Sequence, residues 1–363
     1  MKDLSKLKVA IVHDWLVGGG AELVVLELHK MFPEAPIYTS YCTDEWREKL
    51  DNKAVTGWLQ SLGRIRKFIP LLRIWWFTHL DLSDYDLVIS STGNGEAKGI
   101  KVPKTTKHIC YCHTPTHFYW RHHDYYLKHP GFGPFASIGL KLLLGPLRWW
   151  DKKASQRPDY FIANSTHIQH DIKKYYGRDS VVIHPPVDVD RFASQAITKR
   201  SGFLTVGRQV PYKRVDIIVD VCTKLNLPLT VIGKGPEHSR LVRRAGKNVA
   251  FITNATDEEV VQYMSNAEAF ILAAFEDFGI TPVEALAAGT PVIAYKAGGA
   301  LDYVVPNKTG LFFEKQSQES LASALKTFEL KDYSSSDISK FAESFSTTKF
   351  QDKLKNLLKE RLQ

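Results

Sequence analysis

The stretch Phe275–Ala294, FEDFGITPVEALAAGTPVIA, decides the architecture and marks a site. It follows an apolar run, AEAFILAAF, that reads as a buried strand. A helix start comes next. Thr281 suits the N-cap, Pro282 the first helical position, and Glu284 the third, where it completes a capping box. Ala285 to Ala288 continue the helix and Gly289 ends it. Glu284 therefore has a purely local explanation. Glu276 does not, because nothing in a loop after a buried strand calls for a carboxylate. The N–H groups of Phe278 to Thr281 would point out of the helix start, a surface for oxygen-rich or anionic ligands. Two carboxylates beside a row of amide donors suit a polyhydroxylated ligand: a sugar, a ribose, or both.

Working outward, strands and helices alternate along the chain. KVAIVHD, APIYTSY, YDLVISST, KHICYCH and YFIANS read as strands of a first half. A charged, proline-containing linker, IHPPVDVDRFASQAITKRS, follows. GFLTVGRQVPYKRVDIIVDVCTKL then restarts the pattern of strand, loop and helix. PLTVIGKGPE, VAFITNAT, EAFILAAFED, PVIAYKAGG and GLFF supply the later strands. The expectation is an α/β protein of two doubly wound domains, 1–190 and 191–345. An amphipathic basic helix over 346–363 closes the chain. Ligands of such sheets bind beyond the carboxyl ends of the strands, which points to a cleft faced by both domains.

The 363 residues suffice for two domains with real cores at 44% hydrophobic content. No apolar run has the length of a membrane span, and VAIV is too short for a signal peptide. Cysteines at 42, 110, 112 and 222 do not make a disulfide framework, so a cytoplasmic protein is expected. The net charge is +9. Between Lys53 and Leu80 there are five basic residues and no acidic one. There, WLQSLGRIRKFIPLLRIWWF interleaves aromatic, aliphatic and basic residues. Lys98–Trp150 forms a second basic-aromatic zone in which Asp124 is the only acid. Such segments are either core helices with solvated basic flanks or a face that rests on an anionic membrane surface.

Gly18-Gly19-Gly20 lies between the first strand and its helix, where a phosphate or sugar can approach the backbone. The spacing is neither GxGxxG nor a P-loop, which weakens the nicotinamide and ATP-hydrolase readings. Arg208 and Lys213 follow the strand FLTV, where a diphosphate would need charge neutralisation. His113 follows its strand and precedes Thr114-Pro115, a cleft position. Cys110 and Cys112 with the nearby histidines raise zinc, but alternation in an apolar strand reads better as two buried thiols. Asp188-Val189-Asp190 and Asp84-Tyr85-Asp86 match a DxD metal pattern by form only.

Taken together, FEDFGITPVEALAAGTPVIA with its E-x7-E spacing, VGRQVPYKRVD, VIGKGPE, IHPPVDVDRF, ANS and GGGAE resemble the retaining glycosyltransferases of family 4, also called group 1. The resemblance implies the GT-B fold: two Rossmann-like domains facing a central cleft, with the C-terminal helix crossing back to the first. It implies no cofactor and no divalent metal. It assigns Glu276, with the amides of Phe278, Gly279 and Ile280, to the donor hexose, and Glu284 to the ribose. Arg208 and Lys213 fall to the diphosphate, Gly19 and Gly20 to the donor phosphate and acceptor side, and His113 to the transferred sugar. HDWLVGGGAE and CHTPTHFYW look most like bacterial mannosyltransferases of O-antigen or surface-polysaccharide biosynthesis. That subtype implies GDP-mannose as donor and a lipid-linked glycan as acceptor, with the protein peripheral on the inner face of the plasma membrane. A GT-B sugar-nucleotide epimerase is the alternative enzyme. A basic nucleic-acid-binding protein with stacking aromatics is the alternative class, and it leaves both glutamates unexplained; no nucleic acid is expected as partner.

Overall fold

The computed structural model describes residues 4–121, 134–193 and 199–362. They form two compact units, Met1–Pro185 with Gln351–Gln363, and Pro186–Phe350.

In the first unit, β1 (Val9–His13), β2 (Ile37–Thr39), β3 (Ala54–Val55), β4 (Leu87–Thr92), β5 (Lys107–Cys112), β6 (Tyr160–Ala163) and β7 (Ser180–Val182) make one sheet in the order β3-β2-β1-β4-β5-β6-β7. Every pairing in it is parallel. β1 and β4 are buried along their whole length, as a parallel sheet covered on both faces requires. The helix Gly20–Met31 packs through Val24, Val25 and Leu28, a spacing that places them on one helical face.

The second unit repeats this plan. Its strands β8 (Phe203–Val206), β9 (Leu229–Ile232), β10 (Val249–Ile252), β11 (Ala269–Leu272), β12 (Val292–Tyr295) and β13 (Gly310–Phe313) run parallel in the order β10-β9-β8-β11-β12-β13. Phe270 and Leu272 enter the core on one face of this sheet, and Ala269 and Ile271 the core on the other. That alternation is the period of two read directly off AFIL.

In each unit the strand order reverses beside the first strand. The crevice where a doubly wound sheet takes its ligand therefore lies between β1 and β4 in one unit and between β8 and β11 in the other.

The structure departs from the sequence reading in several places. β3 and β7 were not anticipated; at two and three residues they carry too little pattern. The second unit begins at Pro186 rather than after residue 190, because Val187, Val189 and Phe192 of the supposed linker are buried in its core. The last helix, Thr347–Arg361, is assigned to the first unit only from Gln351 onward. Within that unit Gln351 donates to Glu27 Oε2 (2.8 Å) and Arg361 lies over the ring of Tyr160. Two cations of the basic-aromatic segments are not surface groups. Arg73 is buried in an ion pair with Glu96 (2.6 Å), and Lys98 is buried against Asp151. Trp58, Leu71, Leu72 and Trp75 of the first segment are exposed. His122, His123 and Asp124 lie outside the described residues.

Candidate active site

In the second unit the loops after β8 and β11 are neighbours because their strands pair. A 3-10 turn, Pro211–Lys213, carries Lys213 out of the first loop. It ends at Arg214, whose φ of 52° is a left-handed conformation uncommon for a residue with a side chain. Lys213 Nζ donates to Glu276 Oε1 in the second loop, so the unexplained carboxylate has a cation as its partner. Arg208 is exposed and donates to the Tyr212 hydroxyl at 2.9 Å. Buried Gln209 ties this loop to the one after β9, donating to Gly233 O (2.6 Å) and meeting His238 Nδ1 (2.8 Å).

Glu276 is held from behind. Gly299 N–H donates to its carbonyl at 2.9 Å. A Cβ on Gly298, whose φ is +65°, would sit 2.2 Å from that same oxygen. Only glycine lets these two backbones meet.

The capping box expected at Thr281 and Glu284 is absent. The helix runs Ile280–Ala287, with Gly279 at its N-cap in a left-handed conformation (φ 91°) and no side-chain cap. Gly279 can turn the chain before Thr281 is reached, and Pro282 falls in the first turn, where its missing N–H costs nothing. The far end is as expected. Gly289 (φ 72°) follows the C-cap, with Thr290 N–H donating to Ala285 O (2.9 Å) and Gly289 N–H to Leu286 O (2.8 Å).

This shift changes the reading of Glu284. Its carboxylate caps nothing and has no hydrogen-bond partner among the described residues. Burial pushes its pKa up to about 7; Arg191 opposes the rise, and Asp257 and Asp188 add to it. The N–H groups of Gly279 and Ile280 also donate to no acceptor among the described residues. The Phe278 ring is core, packed edge-on to Tyr303 and tilted against Phe345, so the ring is not offered to a ligand. Tyr303, not anticipated from the sequence, is fully buried beside this loop, and its hydroxyl has no partner among the described residues.

The first unit has its own polar cluster at the β1/β4 crevice. Asp14, one residue past β1, accepts from the Thr92 hydroxyl (2.9 Å) and from the backbone N–H of Gly93 (2.8 Å), Asn94 (2.7 Å) and Ala97 (2.8 Å). It thereby shapes the loop after β4. Glu22 in the first turn of its helix accepts from Val17 N–H (3.2 Å) and Gly18 N–H (3.1 Å). The N–H groups of Gly19 and Gly20 are left without an acceptor among the described residues. His113 is buried at the end of β5, with Nε2 2.8 Å from Ser91 Oγ. Burial lowers its pKa to about 3, with His13 adding to the shift, so its ring is neutral. His13, Asp14 and Ser91 were missed in the sequence. The available signal was a run of polar residues, HD and SST, at the ends of otherwise apolar strands.

The DxD pattern at Asp188–Asp190 belongs to the edge of the second unit's core and includes the start of the helix Val189–Ala193. Cys110 and Cys112 pack among Phe161, Ile168 and Tyr176 as buried thiols, and burial pushes Cys110 up to about 12.

Comparison with known proteins agrees with this architecture. Residues 18–191 match the model described as Glycosyltransferase Family 4, and residues 186–345 the one described as Glycosyl transferases group 1. HepE of Anabaena, solved in complex with UDP, superposes with a TM-score of 0.71 at 17% identity, covering 98% of this chain and 100% of that one. The sucrose-phosphate synthase of Thermosynechococcus elongatus also gives 0.71, at 14% identity over 97% of this chain and 98% of that one. Among curated sequences, a D-inositol 3-phosphate glycosyltransferase of Streptomyces avermitilis is 27% identical over 205 residues, 47% of this chain and 44% of the relative. A GDP-mannose-dependent alpha-mannosyltransferase of Mycobacterium tuberculosis is 33% identical over 138 residues, 34% of this chain and 36% of the relative. The chain spans about half the length, or less, of the curated relatives it matches. With its two parallel-sheet units and these two matched domains, the chain is a glycosyltransferase homologue of family 4 and group 1 with the GT-B fold.

Proposed function

We propose that this protein is a retaining glycosyltransferase that moves a hexose, with mannose from GDP-mannose as the first candidate, onto a lipid-linked saccharide of surface-polysaccharide biosynthesis. The observation that carries the reading is the Lys213–Glu276 pair at the β8/β11 crevice, beside the unengaged amides of Gly279 and Ile280. A donor diphosphate would draw Lys213 and Arg208 onto its oxygens. Glu276, released from Lys213, would then accept from the hexose hydroxyls. Glu284 would meet the ribose diol; its partly buried carboxyl has no cation at contact distance among the described residues, and burial raises its pKa to about 7.

In the reaction that follows from this arrangement, the bond from the anomeric carbon to the diphosphate oxygen breaks. The acceptor hydroxyl oxygen bonds the same carbon on the same face, and its proton passes to the leaving diphosphate. Arg208 and Lys213 stabilise the charge that develops there. We propose that these cations replace a divalent metal, so that chelator leaves turnover unchanged. His113 would donate to an oxygen of the transferred sugar. The exposed Trp58, Leu71, Leu72 and Trp75 would rest on the anionic inner membrane face to reach the lipid-linked acceptor.

A thermal-shift panel of GDP, UDP, ADP and their sugars tests the core of this reading. A ligand at 100 times its Kd adds about 2.7 kcal/mol. GDP and GDP-mannose should raise Tm most. No shift with any nucleotide overturns the transferase reading; a shift with UDP or ADP alone overturns the choice of donor. Donor incubated without acceptor should keep its sugar configuration.

A further inference from the structure

Ser91 joins two histidines across three adjacent strands. β4 lies between β1 and β5, with Ser91 in register with His13 on one side and with Tyr111 on the other. His113 comes two residues after Tyr111, so all these side chains share one face of the sheet.

The hydrogen bonds in this group have one consistent direction. His13 Nδ1 is 2.8 Å from the Ser91 carbonyl oxygen. A carbonyl can only accept, so Nδ1 carries the proton. The same N–H is shared with Ser91 Oγ at 3.1 Å, which makes the hydroxyl oxygen an acceptor towards His13. Ser91 is fully buried, and His113 Nε2, at 2.8 Å, is the one remaining acceptor for its hydroxyl proton among the described residues, so the proton is directed there. A neutral imidazole that accepts at Nε2 must hold its proton on Nδ1.

We infer that Ser91, itself oriented by His13, is a positioning residue that locks His113 in the Nδ1–H tautomer and makes it a neutral hydrogen-bond donor to a sugar oxygen. Burial supports the neutral form, since it holds His113 near a pKa of about 3. Nδ1 has no partner among the described residues. Because that nitrogen already carries a proton, it cannot take one from an acceptor hydroxyl. His113 orients or polarises its ligand and is not the general base. The ligand class rests on the proposed transferase function; the tautomer does not.

The full chain with histidine labelled by heavy nitrogen tests this at pH 7, without ligand. The His113 signals are identified as those lost in His113→Gln. The expected wild-type spectrum has a protonated, pyrrole-like Nδ1 and an unprotonated, pyridine-like Nε2. An imidazolium, or the proton on Nε2, overturns the inference from the wild type alone, even if no Ser91 variant folds. Ser91→Ala should release His113 into a mixture of tautomers, and Ser91→Thr, which keeps a hydroxyl, should restore the wild-type pattern. An unchanged tautomer in Ser91→Ala overturns the role of Ser91. A nucleotide panel without response removes the sugar ligand but leaves this spectrum as expected, so the two failures are distinguishable.

Discussion

Glu284 is a carboxyl group that its own helix does not use. Its partly buried position lifts its pKa from 4.5 to about 7. The native state therefore holds a proton that the unfolded chain releases between those values. The contribution of this group to stability is greatest below pH 4.5 and is lost as pH rises towards 7, by up to about 3 kcal/mol at roughly 1.4 kcal/mol per pH unit. Glu284→Gln should remove this slope, so the variant gains on wild type between pH 5 and pH 8. Urea midpoints at the two pH values measure it, and parallel curves would show the carboxyl to be ordinary. Lys213 and Glu276 predict a different outcome. Lys213→Ala should lower kcat/KM for glycosyl transfer by about 30- to 1000-fold, the equivalent of about 2–4 kcal/mol of charge stabilisation. Steady-state kinetics with saturating acceptor decide this, and unimpaired turnover would end the role given to that cation.

At the scale of elements, the candidate site is shaped by glycine-dependent contacts between loops. Gly279 begins the helix Ile280–Ala287 with φ at 91°, and a Cβ there would lie 2.8 Å from the Tyr303 hydroxyl. That hydroxyl is buried and unpartnered among the described residues, a state that costs about 1–3 kcal/mol. Tyr303→Phe should therefore be neutral or stabilising by about 1 kcal/mol in the ligand-free protein, whereas most core substitutions destabilise. Gly279→Ala should destabilise by more than about 1 kcal/mol, from backbone strain and from the collision with Tyr303. The double variant should recover part of that loss, because one of the colliding atoms is gone. Unfolding free energies of the four proteins form the cycle, and strict additivity would show that the two sites do not touch.

For the whole molecule, the exposed apolar residues of the helix Pro70–Thr78 and the turn before it remain to be matched to a partner. Leu71→Glu with Trp75→Glu should abolish sedimentation with anionic liposomes at low salt, with nucleotide-induced thermal shifts unchanged. Wild-type protein that fails to sediment would refute the membrane docking and leave the transferase reading untouched. No described helix is long and apolar enough to cross a membrane.

The sequence by itself determined the fold class and most of the strands, because buried parallel strands are short apolar runs whose pattern is local. It also marked Glu276 as a carboxylate that local structure does not explain. Other features depended on the tertiary structure. It decided that Glu284 caps nothing, since the helix starts at Ile280 after a left-handed Gly279, in a loop whose neighbours Glu276 and Phe278 lie against Gly298 and Gly299. It moved Arg73 and Lys98 from the supposed surface into buried ion pairs. It also joined His13, Ser91 and His113, residues far apart in the chain that meet because β1, β4 and β5 lie side by side. Periodicity records which face a residue takes. Which residues share that face, and which polar groups lack a partner there, follows only from strand order and register.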